Sequence, residues 1–313
     1  MLQHNLDMKK YIILFGRIVT SLAIAILSIK LYQHSYVLYS ISWSIQSAAC
    51  FISGIVFCSV TMVVGSFVWL LLLRGGGVFI DFKKAYIVMG QAQIAKYLPG
   101  NVFHYVQRIS LGSKVGISTE PAVLSIGAET LIVGATASAI AATGLYFDNT
   151  TLIWLLRETG WKGIAVYQYV LITVFLIVSA LIILLPSTRS WIYQRRTYLK
   201  PNRVVISVLL CFIVFLAYGV LISLLLTSLY SIDHNLHWYQ LAWGFALAWV
   251  AGFAVLGAPG GIGIREAVFV GLYGHILGEG IAIGLAIILR IMTSAGDLLT
   301  YGIAYWAGRK YHL

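Results

Sequence analysis

Two stretches of this chain place cationic side chains beside a proline–glycine break. The first is KYLPGNVFHYVQR, residues 96–108, and the second is APGGIGIRE, residues 258–266. In the first, Lys96 precedes Pro99-Gly100, and His104 and Arg108 follow it four residues apart, on one face of any helix that starts there. In the second, Arg265 and Glu266 follow Pro259-Gly260-Gly261. Proline ends the helix before it, because the preceding residue is pushed out of the α region. Glycine then permits a sharp reversal. Asn101 reads as the N-cap of the helix after the first break. A helix starting at such a break turns free N–H groups and a positive dipole end inward, which suits an anion. The expected anion-holding groups are therefore the helix starts at 101–104 and 261–264, through Asn101, Gly260 and Gly261. Around them stand Lys96, His104, Arg108, Arg265 and Arg290.

Three acids accompany these cations. Glu129 and Arg290 each lie well inside an apolar run, and Asp297 follows Arg290 by seven residues, on the same helix face. Ionisable residues in lipid are costly and by default mark function. Glu129, Glu266 and Asp297 are read as orienting the cations, and one of them as a candidate carrier of a coupling proton. The plainer account is a set of ion pairs stapling helices together, with Glu129–Lys96 and Arg290–Asp297 as candidate pairs. Cys50, Cys58 and Cys211 fall in apolar runs without metal-ligand spacing and read as small core residues. The remaining histidines sit at the ends of runs, again without ligand spacing. The sequence has no Ser-His-Asp pattern, Walker loop or paired-carboxylate motif, so the expectation is a protein that is not an enzyme, with no metal and no cofactor.

The elements that must position these residues are membrane helices. Residues are 60% hydrophobic and only 10% charged, and the mean hydropathy is +0.91. Six apolar runs read as full spans: 11–31, 46–73, 120–146, 163–185, 204–230 and 280–306. They are too long and too uniformly apolar for barrel strands. Two regions do not fit as spans. Residues 85–98 and 239–257 stop at the Pro-Gly breaks, and shorter helical stretches follow at 102–113 and 262–277. The expected fold is all-α and polytopic: about six full transmembrane helices plus two Pro-Gly re-entrant hairpins, eight hydrophobic segments in all. The whole chain, 1–313, reads as one integral membrane domain, since no joint is long enough for a soluble one.

The formal net charge of +11 might suggest nucleic acid in a soluble protein. Here the cations lie mostly in joints between spans, as topology signals facing anionic headgroups, and no nucleic acid is expected. Arg74, Lys83 and Lys84 mark one joint. Arg189, Arg195, Arg196, Lys200 and Arg203 mark another. The positive-inside rule places these joints and both termini in the cytoplasm of a multi-pass protein of the cell (inner) membrane. That parity holds if each Pro-Gly region enters and returns on one side. The two breaks, at 99 and 259, lie 160 residues apart. A span, a broken hairpin and a span recur in opposite orientation over approximately 46–146 and 204–306. Inverted repeats with interrupted helices are a transporter architecture that builds a site near the bilayer midplane.

The stretches KYLPGNVFHYVQR and PGGIGIREAVFVGLY, residues 259–273, resemble the two signatures of the lysylphosphatidylglycerol synthase transmembrane-region family, flippase-like integral membrane proteins. The similarity covers the whole chain. The resemblance implies movement of a lipid between leaflets, either an aminoacylated phospholipid or a lipid-linked sugar of the cell envelope. The chain ends at Leu313, soon after the last span, so a stand-alone member without the soluble aminoacyltransferase domain is expected. The partners expected are the bilayer, an anionic phospholipid or polyprenyl-phosphate-linked lipid, and potentially a second copy in a homo-oligomer. The alternatives are an intramembrane enzyme acting on a lipid phosphate, with Glu266 or His104 as base, and a non-transporting scaffold of a glycan-assembly complex.

Overall fold

A computed structural model describes residues 44–98, 102–148, 200–230, 236–255 and 258–311, with Ile29 and Tyr32 singly. The expected spans 11–31 and 163–185 lie outside the described residues, as do Pro99, Gly100 and Asn101. Among the described residues all regular structure is helical: α1 Ile45–Gly75, α2 Phe82–Gln93, α3 Phe103–Lys114, α4 Thr119–Phe147, α5 Pro201–Tyr230, α6 Trp238–Ala254, α7 Ile264–Leu277 and α8 Glu279–Gly308. Short 3-10 turns, Ile94–Tyr97 and Pro259–Gly261, follow α2 and lead into α7.

Local chemistry sets the ends of these helices. Ser44 caps α1 by accepting from the Ser47 N–H (3.1 Å), while Ser47 Oγ accepts from the Ser44 N–H (2.7 Å). Pro201 opens α5 at the first helical position, where its missing N–H costs nothing. Gly278, at φ 84°, separates α7 from α8. At 1.5 Å per residue, α1, α4, α5 and α8 are each roughly 45 Å long, ample for a hydrocarbon core of about 30 Å. These four are long and apolar enough to cross a membrane. The 12-residue helices α2 and α3 reach only about 18 Å, so neither crosses alone. Most exposed side chains of α5, among them Val205, Leu209, Phe212, Ile213 and Leu224, are apolar, as a lipid-facing surface requires.

The packing has a two-part order. One apolar cluster joins α1 to α4 through Trp69, Leu70, Val88, Leu111 and Ile126. A larger one centres on α5 to α8, with Leu225, Leu241, Trp243, Tyr273 and Ile283, and reaches α1 and α4. Helix α2 packs on α8 as α6 packs on α4, and α1 packs on α5. The 3-10 turns Ile94–Tyr97 and Pro259–Gly261 touch each other. The two interrupted segments therefore meet through these turns, between the long helices.

Candidate functional site

Between these turns and the long helices lies a cavity of about 310 Å³. Lys96, His104, Arg108, Glu129, Gly260, Arg265, Glu266, Arg290 and Asp297 all line it. Gly261, next to Gly260, is buried and does not line it, and Asn101 is outside the described residues. Helix α3 has Val102 as its N-cap, with no side-chain cap, rather than the Asn101 cap expected from the sequence.

Among the described residues three ion pairs organise the wall. Arg108 on α3 binds Glu129 on α4, both buried, and its guanidinium stacks 4.1 Å from the Trp69 ring centroid. Trp69 is itself fixed, donating to Ser125 Oγ at 2.8 Å. Glu266 on α7 faces Arg290 on α8 at 3.6 Å. Lys96, beyond α2, meets Asp297 on α8 at 2.5 Å. The Asp297 carboxylate also accepts from Tyr97 Oη (2.6 Å) and Gln93 Nε2 (3.2 Å), so both oxygens are engaged. The pairs Glu129–Lys96 and Arg290–Asp297 suggested by the sequence are thus replaced. The turn at 94–97 lays Lys96 and Tyr97 against α8, while α3 packs along α4 and delivers Arg108 to Glu129.

The second break is held by its neighbours. Gly260, at φ 57°, sits in the left-handed region, and its carbonyl accepts from both Nη atoms of Arg290 at 3.1 and 3.2 Å. An otherwise orphaned carbonyl is satisfied by a charged fork. The N-terminus of α7 carries its own carboxylate: Glu266 Oε2 accepts from the Gly263 N–H at 2.7 Å. The positive end that the sequence assigns to a ligand is therefore already partly occupied.

Arg265 differs from the other cations. Among the described residues it has no ion-pair partner, and its Nε is buried without a hydrogen bond. Its guanidinium lies 5.5 Å from the Trp249 ring centroid. A slot without side chains receives its stem. A Cβ at Gly252 would come within 2.5 Å of Arg265 Cγ, and one at Gly261 within 2.7 Å of Nε. Phe215, Tyr218, Phe245, Trp249, Phe253 and Phe269 add an aromatic wall to the cavity. Tyr218 stacks on Phe245 with centroids 4.2 Å apart, and Phe215 meets Trp249 edge-on. The cavity thus combines charged side chains, most of them held in ion pairs, with a set of packed aromatic rings.

The family model for the lysylphosphatidylglycerol synthase transmembrane region matches residues 13–299. The chain belongs to this family. No curated protein matches it significantly. The match spans every cavity residue named above, and with four membrane-length helices it makes the chain an integral membrane protein with a role connected to membrane lipids.

Within this family member the structure gathers eight charged or titratable residues singled out by sequence around one cavity. Cys58 and Cys211, buried as expected, line it as well. Sequence reading missed Gln93 and Tyr97, which hold Asp297, and the aromatic wall. A signal for the wall exists in the four-residue rhythm Phe245, Trp249, Phe253, which puts three aromatic rings on one face of α6. Nothing in the spacing marks Gln93, because its role depends on α8, two hundred residues away.

Proposed function

We propose that this protein translocates an anionic lipid, or the headgroup of a lipid-linked glycan, between the leaflets of the cell membrane. The observation that carries this reading is one cavity in which four cations surround the meeting point of two interrupted helices. Interrupted helices meeting at a charged site are how secondary transporters build a midplane binding site. An anion compensates cations that would otherwise be costly in a low-dielectric setting. The aromatic wall offers an apolar path along which tails stay in lipid. The matching pairwise packing of α1–α4 and α5–α8 supports an inverted repeat, with α2–α3 and α6–α7 as hairpins entered from opposite faces. In this arrangement the cation-rich joints and both termini are cytoplasmic. Arg265 contacts the headgroup, and Glu129, Glu266 and Asp297 hold Arg108, Arg290 and Lys96 in place around it.

The test is leaflet exchange of a labelled anionic phospholipid in proteoliposomes, with the lipid recovered and analysed afterwards. Exchange well above that of protein-free vesicles, with the lipid chemically unchanged, is the expected result. Release of phosphate from the lipid would replace the reading with an intramembrane enzyme. Exchange no faster than in empty vesicles would overturn it.

A further inference from the structure

The cavity has more to say about its cargo than the sign of the charge. Among the described residues its wall carries four cations and three carboxylates, and each carboxylate is engaged with one cation. With His104 neutral, as histidine is above its ordinary pKa of about 6.5, the wall bears a single uncompensated positive charge. That charge is on Arg265, which lacks an ion-pair partner among the described residues. Its position is set by the Trp249 ring and the bare backbones of Gly252 and Gly261.

Resting on the reading of the cavity as an anionic-headgroup site, we propose that it accepts one monoanionic phosphodiester headgroup, seated on Arg265, and discriminates against phosphomonoesters and diphosphates. A monoanion brings the cavity to neutrality. A dianion leaves a net negative charge in a low-dielectric space unless an internal pair opens, and opening a buried pair exposes an unbalanced carboxylate. The volume agrees with a small headgroup, because about 310 Å³ lies at the lower end of the range of about 300–1,000 Å³ for small-molecule sites. A guanidinium fork also suits the two non-bridging oxygens of a phosphodiester.

The test holds the tails constant and varies the headgroup charge. Full-length protein in phosphatidylcholine nanodiscs at pH 8 is titrated with phosphatidylglycerol, a monoanion, and with phosphatidic acid, whose phosphomonoester is close to dianionic there. Native mass spectrometry reads occupancy. Phosphatidylglycerol is expected to bind about tenfold more tightly than phosphatidic acid, equivalent to about 1.4 kcal/mol. Arg265→Gln abolishes its advantage over phosphatidylcholine, whereas Arg265→Lys, which keeps the charge, retains most of it. Asp297→Asn raises the wall charge by one and, measured on its folded fraction, shifts preference toward phosphatidic acid. Tighter binding of phosphatidic acid by the unmodified protein would overturn the single-charge inference and leave the anionic-headgroup reading intact. Equal binding of all three lipids would overturn both.

Discussion

Replacing Asp297 by asparagine removes one charge and keeps nearly the same shape. Asp297 is 5% exposed and accepts from Lys96, Tyr97 and Gln93 at 2.5, 2.6 and 3.2 Å. Removing one partner of a buried pair costs about 3–5 kcal/mol, because the other charge is left behind. Lys96 is 21% exposed and borders the cavity, so water relieves part of that, leaving about 2–4 kcal/mol. At about 2 °C per kcal/mol for a chain of this size, Asp297→Asn should lower the unfolding midpoint by about 4–8 °C. The assay is thermal unfolding in phosphatidylcholine nanodiscs, followed by intrinsic fluorescence. Lys96→Met removes the opposite charge, and Lys96→Met/Asp297→Asn removes both. The double variant should recover a coupling of about 1–3 kcal/mol relative to the sum of the single losses. A midpoint for Asp297→Asn within about 1 °C of the unmodified protein would refute the pair as a staple. So would single losses that simply add.

The remaining predictions concern the second break, the arginine slot and the topology. Gly252→Ala brings a methyl into the stem of Arg265, and such overpacking costs about 1–3 kcal/mol; the unfolding midpoint should fall and the preference for anionic over neutral lipid should shrink, as a lipid titration will show. Trp249→Leu removes a cation–π contact of about 0.5–1 kcal/mol and should weaken anionic-lipid binding by roughly twofold to fivefold in the same titration. Arg290→Lys loses the two-pronged hold on the Gly260 carbonyl, so hydrogen exchange over 258–263 should accelerate even though the charge is kept. Single cysteines placed at 80–84 and at 114–118 should both be labelled from the cytoplasmic side; labelling of one of the two only from outside would contradict the first hairpin.

The long helices were readable because their signal is local. The expected spans 46–73, 120–146, 204–230 and 280–306 appear as Ile45–Gly75, Thr119–Phe147, Pro201–Tyr230 and Glu279–Gly308. A run of apolar residues has to be hydrogen-bonded within itself in lipid, and a helix is the means. The breaks were readable for the same reason, since proline and glycine act on their own backbone. The partners of the charges were not. Glu129 could face Lys96 or Arg108, and only the rotation of α3 about its axis and its packing on α4 selects Arg108. Asp297 shares a face with Arg290, yet Arg290 turns to Glu266 and Gly260 while Asp297 takes Lys96. Such choices depend on contacts between elements far apart in sequence. The isolation of Arg265 became visible only when all three carboxylates had been assigned elsewhere.

The three ion pairs differ greatly in how far apart their members lie along the chain, and this bears on how the protein is made. Arg108 and Glu129 are 21 positions apart, and Glu266 and Arg290 are 24 apart, counting from 266 to 290. Each of these pairs closes between one short helix and the long helix that follows it, so both charges reach the bilayer almost together and neutralise one another on arrival. The signs alternate: arginine precedes glutamate in the first pair, and glutamate precedes arginine in the second. Lys96 has to wait for Asp297, 201 positions later, counting from 96 to 297. Until α8 is synthesised, its ammonium has no carboxylate from that helix and must stay near water. Lys96 therefore gains this carboxylate only when the last helix arrives. A ribosome-bound chain stopped before residue 297 should leave Lys96 open to amine-reactive reagents, and the full-length chain, with Lys96 paired to Asp297, should react more slowly.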